Sequence, residues 1–271
     1  MNTRRILGAT TLAMICCGAL SVARADVPAK VELSNGSIIE CKLRWMPASK
    51  KYVIIRPAAG GQAMEQQVSP SEILRKQVAP PAGWRELLQL AAKSPDSALP
   101  KLKQIVDEYM MLEYDEQAAY VAATIYMRKG KPEDAIKICE KVAQDNPAAA
   151  SISQMAPVYW AALLETGKTG SKLDKMIAEA ITSAPRPIAA AALVARGDSL
   201  KKAGRTRDAL KDGYLRVALL YTQEADANAE ALYKASLALD ELRQATYAER
   251  MRQTILSKHR NSEYARKLRG N

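Results

Sequence analysis

From Val31 to Val68 apolar side chains recur at alternate positions, and that period predicts short strands. Val31-Glu32-Leu33 alternates, and Asn35-Gly36 predicts a two-residue hairpin turn. Ile39, Cys41 and Leu43 then share one face of the stretch from Ser37 to Trp45. Tyr52-Val53-Ile54-Ile55 is a β-branched run, Gly60-Gly61 a second turn, and Met64 to Val68 a further strand. Ser69-Pro70-Ser71-Glu72-Ile73 predicts a short helical turn. Pro80-Pro81-Ala82-Gly83 is a linker of limited flexibility. Beyond it the apolar spacing lengthens to that of helices arranged as hairpins.

Four or five short strands in about 50 residues predict a small, strongly bent, SH3-like β module over residues 26–79. Its run from Val31 through Asn35-Gly36 to Ile39, closing on Ser69 to Ile73, resembles small barrel modules at the start of bacterial envelope proteins.

Residues 84–268 read as a helical repeat. Over Glu116 to Pro147, Ala122-Ala123 sit at a tight contact in a first helix, and Tyr126 follows. Gly130 ends that helix in the left-handed conformation that glycine favours. Pro132 opens the second helix, Ala135 marks the crossing, Cys139 stands where an aromatic is usual, and Pro147 breaks the chain. Trp160-Ala161, Leu164, Gly167, Leu173, Ile177, Ala180 and Pro185 repeat the order. So do Leu193, Gly197, Leu200, Gly204 and Ala209, and then Leu232, Ala235, Leu239, Ala248 and Ile255. In the last unit Arg243 replaces the turn glycine and Arg260 the proline. The segment from Trp84 to Tyr109 is a degenerate first hairpin in which Pro100 predicts a late start for the second helix. This pattern resembles the tetratricopeptide repeat (TPR) family. The resemblance implies a mainly α fold: a TPR-like α-solenoid of helical hairpins carrying the small SH3-like β domain at its N-terminal end. Stacking is required because one hairpin cannot bury its own apolar stripe.

The start of the chain reads differently. Arg4 and Arg5, the uncharged apolar run from Ile6 to Leu20, and Ala23-Arg24-Ala25 have the order of a secretory signal peptide, residues 1–25, cleaved after Ala25. The run is shorter than the ~20 residues of a membrane-spanning helix. Ile15 or Cys16 before the cysteines Cys16 and Cys17 is a poor fit to a lipidation site. The expected location is periplasmic or secreted, with no transmembrane segment in the mature chain. Cys41 and Cys139 then remain, one on a strand and one in a helical hairpin. A bridge needs Cα atoms within about 7 Å, so both are expected to be unpaired.

Composition narrows the chemistry. Hydrophobic residues make up 48% of the chain and phenylalanine is absent, so a core must come from Ala, Leu, Ile, Val and Met. One histidine, His259, argues against a histidine metal site or a Ser-His-Asp triad; at a helix end it reads as a cap. Gly167-Lys168-Thr169 lacks the upstream glycine and strand of a phosphate loop, Ala162 standing where the glycine belongs. Arg196-Gly197-Asp198-Ser199 spells an adhesion tetrapeptide, but Gly197 reads as a helix contact. Asp107-Glu108 and Asp226 to Glu230 sit in solvent-compatible helical positions, and Trp84 and Trp160 read as core. No catalytic constellation and no cofactor is implied, so the chain reads as a binding protein rather than an enzyme.

By the TPR resemblance the concave groove is lined by each unit's first helix: Gln117, Tyr120, Thr124 and Met127, then Val158, Glu165, Val194, Asp198, Lys201, Tyr233, Leu237 and Asp240. The set lacks the paired Lys and Asn residues that clamp a C-terminal carboxylate in some family members. It suits an amphipathic helix or an extended apolar peptide. The competing occupant is a neighbouring segment such as the C-terminal helix. The resemblance thus implies a scaffold or adaptor for a protein or peptide partner in a bacterial cell-envelope assembly. The alternative rests on charge. The chain carries 40 Lys and Arg against 29 Asp and Glu, a net +11. Arg243, Arg250, Arg252, Lys258, Arg260, Arg266, Lys267 and Arg269 crowd its end. They read either as a solvated capping surface or as a contact for anionic envelope polymers or lipids; nucleic acid is disfavoured by the compartment.

Overall fold

A computed structural model describes residues 25–57 and 63–270. The leader up to Arg24, with Cys16 and Cys17, and the Gly60-Gly61 turn lie outside the described residues. The chain is mainly helical, with one small N-terminal antiparallel sheet. Its strands are β1 (Val27–Leu33), β2 (Ile38–Met46), β3 (Lys51–Pro57), β4 (Ala63–Val68) and β5 (Ile73–Val78), in the order β4-β3-β2-β1-β5. The first four form a meander. A 3-10 turn, Pro70–Glu72, then returns β5 to β1, with Val31 opposite Lys76. The carboxylate of Glu72 fixes that turn by accepting from the amide and the hydroxyl of Ser69, each at 2.7 Å.

The first hairpin differs from the expected two-residue turn. Gly36 N–H donates to the carbonyl of Leu33 and Leu33 N–H to that of Ser37, both at 2.9 Å, so Ser34, Asn35 and Gly36 all lie in the loop. The side-chain oxygen of Asn35 accepts from Ser37 N–H (3.0 Å), and Gly36 takes the left-handed conformation (φ 81°) that closes such a three-residue loop.

The helices are α1 (Trp84–Lys93), α2 (Pro95–Glu108), α3 (Tyr114–Arg128), α4 (Pro132–Asp145), α5 (Ala149–Ile152), α6 (Ala156–Glu165) and α7 (Ser171–Ser183). They continue with α8 (Arg186–Lys202), α9 (Thr206–Ala209), a π-turn (Leu210–Tyr214), α10 (Leu215–Leu220), α11 (Ala225–Glu241), α12 (Ala245–Lys258) and α13 (Glu263–Arg269). The late start expected of α2 is corrected: it begins at Pro95 and carries Pro100 in its interior. Proline at that position forfeits only the bond to the carbonyl of Asp96, in the first turn, so the helix tolerates it.

Pairs of helices pack as hairpins: α1 on α2, α3 on α4, and α11 on α12. First helices also meet one another in file, α3 with α6, α6 with α8, α8 with α11, and α11 with α13. Ala122, Ala123 and Ala135 are fully buried and let α3 and α4 approach closely. Trp160 is likewise buried and donates its indole N–H to the carbonyl of Ala150 (2.9 Å).

One turn is used four times. Gly130, Gly167 and Gly204 have φ of 64°, 74° and 76°, and Arg243 takes the same place at 58°. In each, the residue after the left-handed one reaches back to close the turn: Lys131 to Tyr126, Lys168 to Leu163, Arg205 to Leu200 and Gln244 to Leu239, all at 2.8–2.9 Å. This is the helix-ending bond pattern that a left-handed residue makes possible. Arg243 pays the steric cost of a side chain there, so Arg243→Gly is expected to raise stability by about 1 kcal/mol. Urea unfolding checks this, and a loss of stability would show that the arginine side chain outweighs its backbone.

Gly197 is the helix contact expected of it. A Cβ on Gly197 would lie 2.4 Å from the ring of Tyr214, and one on Gly213 would lie 2.5 Å from the Cα of Gly197. The backbone of α8 therefore touches that of the π-turn.

The sheet and the helices share a core. Val31, Leu43, Trp45 and Ile54 belong to the same buried cluster as Leu102, Leu112, Ile136 and Trp160. A polar tie reinforces the junction. Tyr52 donates its hydroxyl to the carbonyl of Met111 (3.0 Å), while Asp115 accepts from the amide of the same residue (2.8 Å). Met111 (φ 63°) and Glu113 (φ 73°) are both left-handed, and Tyr114 N–H bonds back to the carbonyl of Leu112 (2.9 Å). That is a γ-turn about Glu113, a strained form of backbone.

Candidate binding site

The expected groove residues fall into three groups. On α3, Tyr120 is exposed, and Gln117, Thr124 and Met127 are half-buried. The Thr124 hydroxyl is spent on the carbonyl of Tyr120 (2.8 Å). Val158 is half-buried, while Glu165 and Leu237 are exposed. Val194 is buried in the core, because the inward stripe of α8 falls on it, and it offers no surface to a partner.

The third group is polar, and each member is engaged by a residue outside the set. Asp198 accepts from the hydroxyl of Tyr214 (2.8 Å) and from Lys234 (2.5 Å), which also pairs with Glu230 (2.7 Å). Burial pulls the Lys234 ammonium down, but Glu230 and Asp198 outweigh it, so its pKa is raised. Lys201 pairs with Glu241 (2.7 Å), and Asp240 with Arg252 (2.7 Å). Tyr233 is half-buried against Tyr264 of α13, ring centres 5.3 Å apart, with the Lys267 ammonium 4.8 Å from the Tyr264 ring. Helix α13 thus extends the file of first helices and covers one face of Tyr233.

A cavity of about 510 Å³ opens where α3, α6, α8 and α11 come together. Tyr120 is the one expected groove residue that lines it. The others are Gln154, Pro157, Pro187, Ile188, Ala191, Gln223, Glu224, Ala225, Asp226, Ala227 and Glu230. The cavity lies toward the N-terminal ends of α6, α8 and α11, whereas the expected positions other than Val158 run farther along those helices. Pro157 and Pro187, each in the first turn of its helix, are the sequence signals that could have marked this rim.

A second cavity, about 650 Å³, runs along β5 beside the strained turn, lined by Tyr52, Arg75, Lys76 and Glu113 among others. Behind the turn, Asp115 is fully buried and its Oδ1 has no hydrogen-bond partner among the described residues. Burial drives its pKa up to about 7, against the amide of Met111 and the charge of Lys76, which lower it. Glu116, bonded to Asn146 (2.8 Å), is also raised by burial.

The basic end is partly spent. Arg252 pairs with Asp240 and Glu249, and Lys267 with Glu263. Arg243, Arg250, Lys258, Arg260, Arg266 and Arg269 have no carboxylate partner among the described residues. His259 stands at the C-terminal cap of α12, as expected, its N–H bonded to the carbonyl of Ile255 (2.9 Å). Its Nε2 meets the side-chain oxygen of Asn228 (3.0 Å), and burial together with Lys258 lowers its pKa, against the charge of Asp226. The amide of Asn228 in turn donates to the carbonyl of Val217 (3.1 Å), tying the end of α10 to α12. Cys41 and Cys139 are both unpaired, and burial pushes the Cys139 thiol up to about 12.

Among the described residues no group of three or more His, Cys, Asp or Glu is placed to hold a metal ion. No described helix is long and apolar enough to cross a membrane. No family model matches the chain, and no curated protein or solved structure matches it.

Proposed function

We propose that this chain is an extracytoplasmic TPR-type scaffold with an SH3-like module at its N-terminal end, binding a protein segment on the inner face of its first helices. The observation that carries the reading is the fourfold turn at Gly130, Gly167, Gly204 and Arg243, spaced 37, 37 and 39 residues apart. Like turns at nearly equal spacing bring successive first helices side by side, and α3, α6, α8 and α11 contribute to one cavity. The SH3-like reading is supported by the meander, the 3-10 turn at Pro70–Glu72 and the return of β5 to β1. A photo-crosslinking side chain placed at Tyr120 is expected to capture a partner in cells. Adducts that form from Arg260 or Arg266 but not from position 120 would overturn the reading.

Export is part of the proposal, supported by the n-region, apolar run and Ala23-Arg24-Ala25 site. The exported protein is expected to begin at Asp26, which N-terminal sequencing checks; a retained leader or a lipid on Cys17 would overturn it. A second reading, attachment to anionic surface polymers or lipids, is favoured by the cations at the C-terminal end that have no carboxylate partner among the described residues. Adducts from that end alone would select it.

A further inference from the structure

The 510 Å³ cavity carries a charge pattern that its helices do not require. Its lining includes three carboxylates, Glu224, Asp226 and Glu230, and no cation, in a chain of net charge +11. Two are offset from outside: Arg186 reaches Glu224 (3.4 Å), and Lys234 reaches Glu230 (2.7 Å) while also serving Asp198 (2.5 Å). Four carboxylates against two cations leave a deficit of two positive charges. Asp226 is exposed and has no ion-pair partner among the described residues.

Helix N-termini ordinarily favour anions. Here Pro157 and Pro187 remove backbone N–H donors from the first turns of α6 and α8, and Glu224 and Asp226 occupy the start of α11. The cavity therefore repels an acidic ligand. Apart from Gln154 and Gln223 its remaining wall is apolar, with Pro157, Pro187, Ile188 and Ala191 ending at the exposed ring of Tyr120. Farther along the same file of helices the chain places one of its own cations on such a surface: the Lys267 ammonium lies over the rings of Tyr264 and Tyr233.

Resting on the scaffold reading above, we propose that this cavity accepts an extended partner segment bearing Lys or Arg, its aliphatic stem on Pro157, Pro187 and Ile188 and its cation toward Asp226. The test uses three labelled peptides with identical apolar positions, carrying Lys, Gln or Glu at the polar ones, with affinity read by fluorescence anisotropy. The Lys peptide is expected to bind about tenfold more tightly than the Gln peptide, and the Glu peptide more weakly still. That margin should shrink as salt rises. Asp226→Lys should erase the margin between the Lys and Gln peptides, and the milder Asp226→Asn should reduce it, guarding against misfolding of the reversal. Equal binding of the Lys and Gln peptides, both weakened by Tyr120→Ala, overturns the charge assignment and leaves the scaffold reading standing. Preference for Lys that survives both Asp226 variants and Tyr120→Ala places the cation elsewhere and overturns the proposal. No binding of any of the three defeats both readings.

Discussion

Gly213→Ala is expected to lower stability by roughly 3 kcal/mol, at the upper end of what overpacking commonly costs. The added methyl would meet backbone rather than a movable side-chain tip: the Cα of Gly197 at 2.5 Å, its nitrogen at 2.7 Å and the carbonyl oxygen of Leu193 at 3.0 Å. Relief requires α8 to separate from the π-turn. Tyr214 resists that separation, because its hydroxyl is anchored to Asp198 and its ring is buried. Gly197→Ala should be comparably costly, since its methyl would point into that ring. Lys211→Ala, on the exposed side of the same turn, should change little. Urea unfolding of the three variants decides the matter; a loss below 1 kcal/mol at Gly213 would mean that the two backbones do not pack as described.

Asp115→Asn should reshape the pH dependence of stability. Burial lifts the pKa of this carboxyl to about 7 in the folded chain, against 3.8 for an aspartate free in water. Between those values the folded chain keeps a proton that the unfolded chain releases, so stability falls as pH rises from about 4 to about 7. Above pH 7 the buried carboxylate is ionised in place, and the full penalty applies. A gap of about three pH units, at about 1.4 kcal/mol each, corresponds to roughly 4 kcal/mol. Asparagine retains an oxygen to accept from the amide of Met111 and cannot ionise. The variant should match its parent near pH 4 and exceed it by about 2 kcal/mol or more at pH 8. Parallel pH profiles for the two proteins would defeat this account of Asp115.

Features set by a single residue's backbone demands were legible in the sequence. Gly130, Gly167 and Gly204 announced left-handed helix ends, and the shared spacing identified Arg243 as their stand-in. Gly197 was readable as a contact because glycine inside a helix needs a reason. The Pro70 turn and the strands around Leu43 and Ile54 followed from local pattern. What depended on neighbours distant in sequence was not readable. The π-turn exists because Gly213 must meet Gly197. The length of α2 depends on packing that overrides Pro100. Val194 and Tyr233 were placed on a groove by their helical position, but the first turned into the core and the second met α13. The Met111 tie joins three segments, and no one of them signals it alone.

The way the core is divided bears on how the molecule would yield to a pull. Ala192 and Ala195 on α8 belong to the cluster shared with the sheet, whereas Ala190, Leu193 and Val194 belong to a second cluster with α11 and α12. A third, small cluster holds α13 through Leu232, Ile255 and Ala265. Helix α8 is thus a seam. Tension applied at the C-terminal end would strip α13 first, then part the molecule along α8, while the sheet and α1 to α7 stayed whole. The order of release would follow the size of the buried clusters, the smallest giving way first.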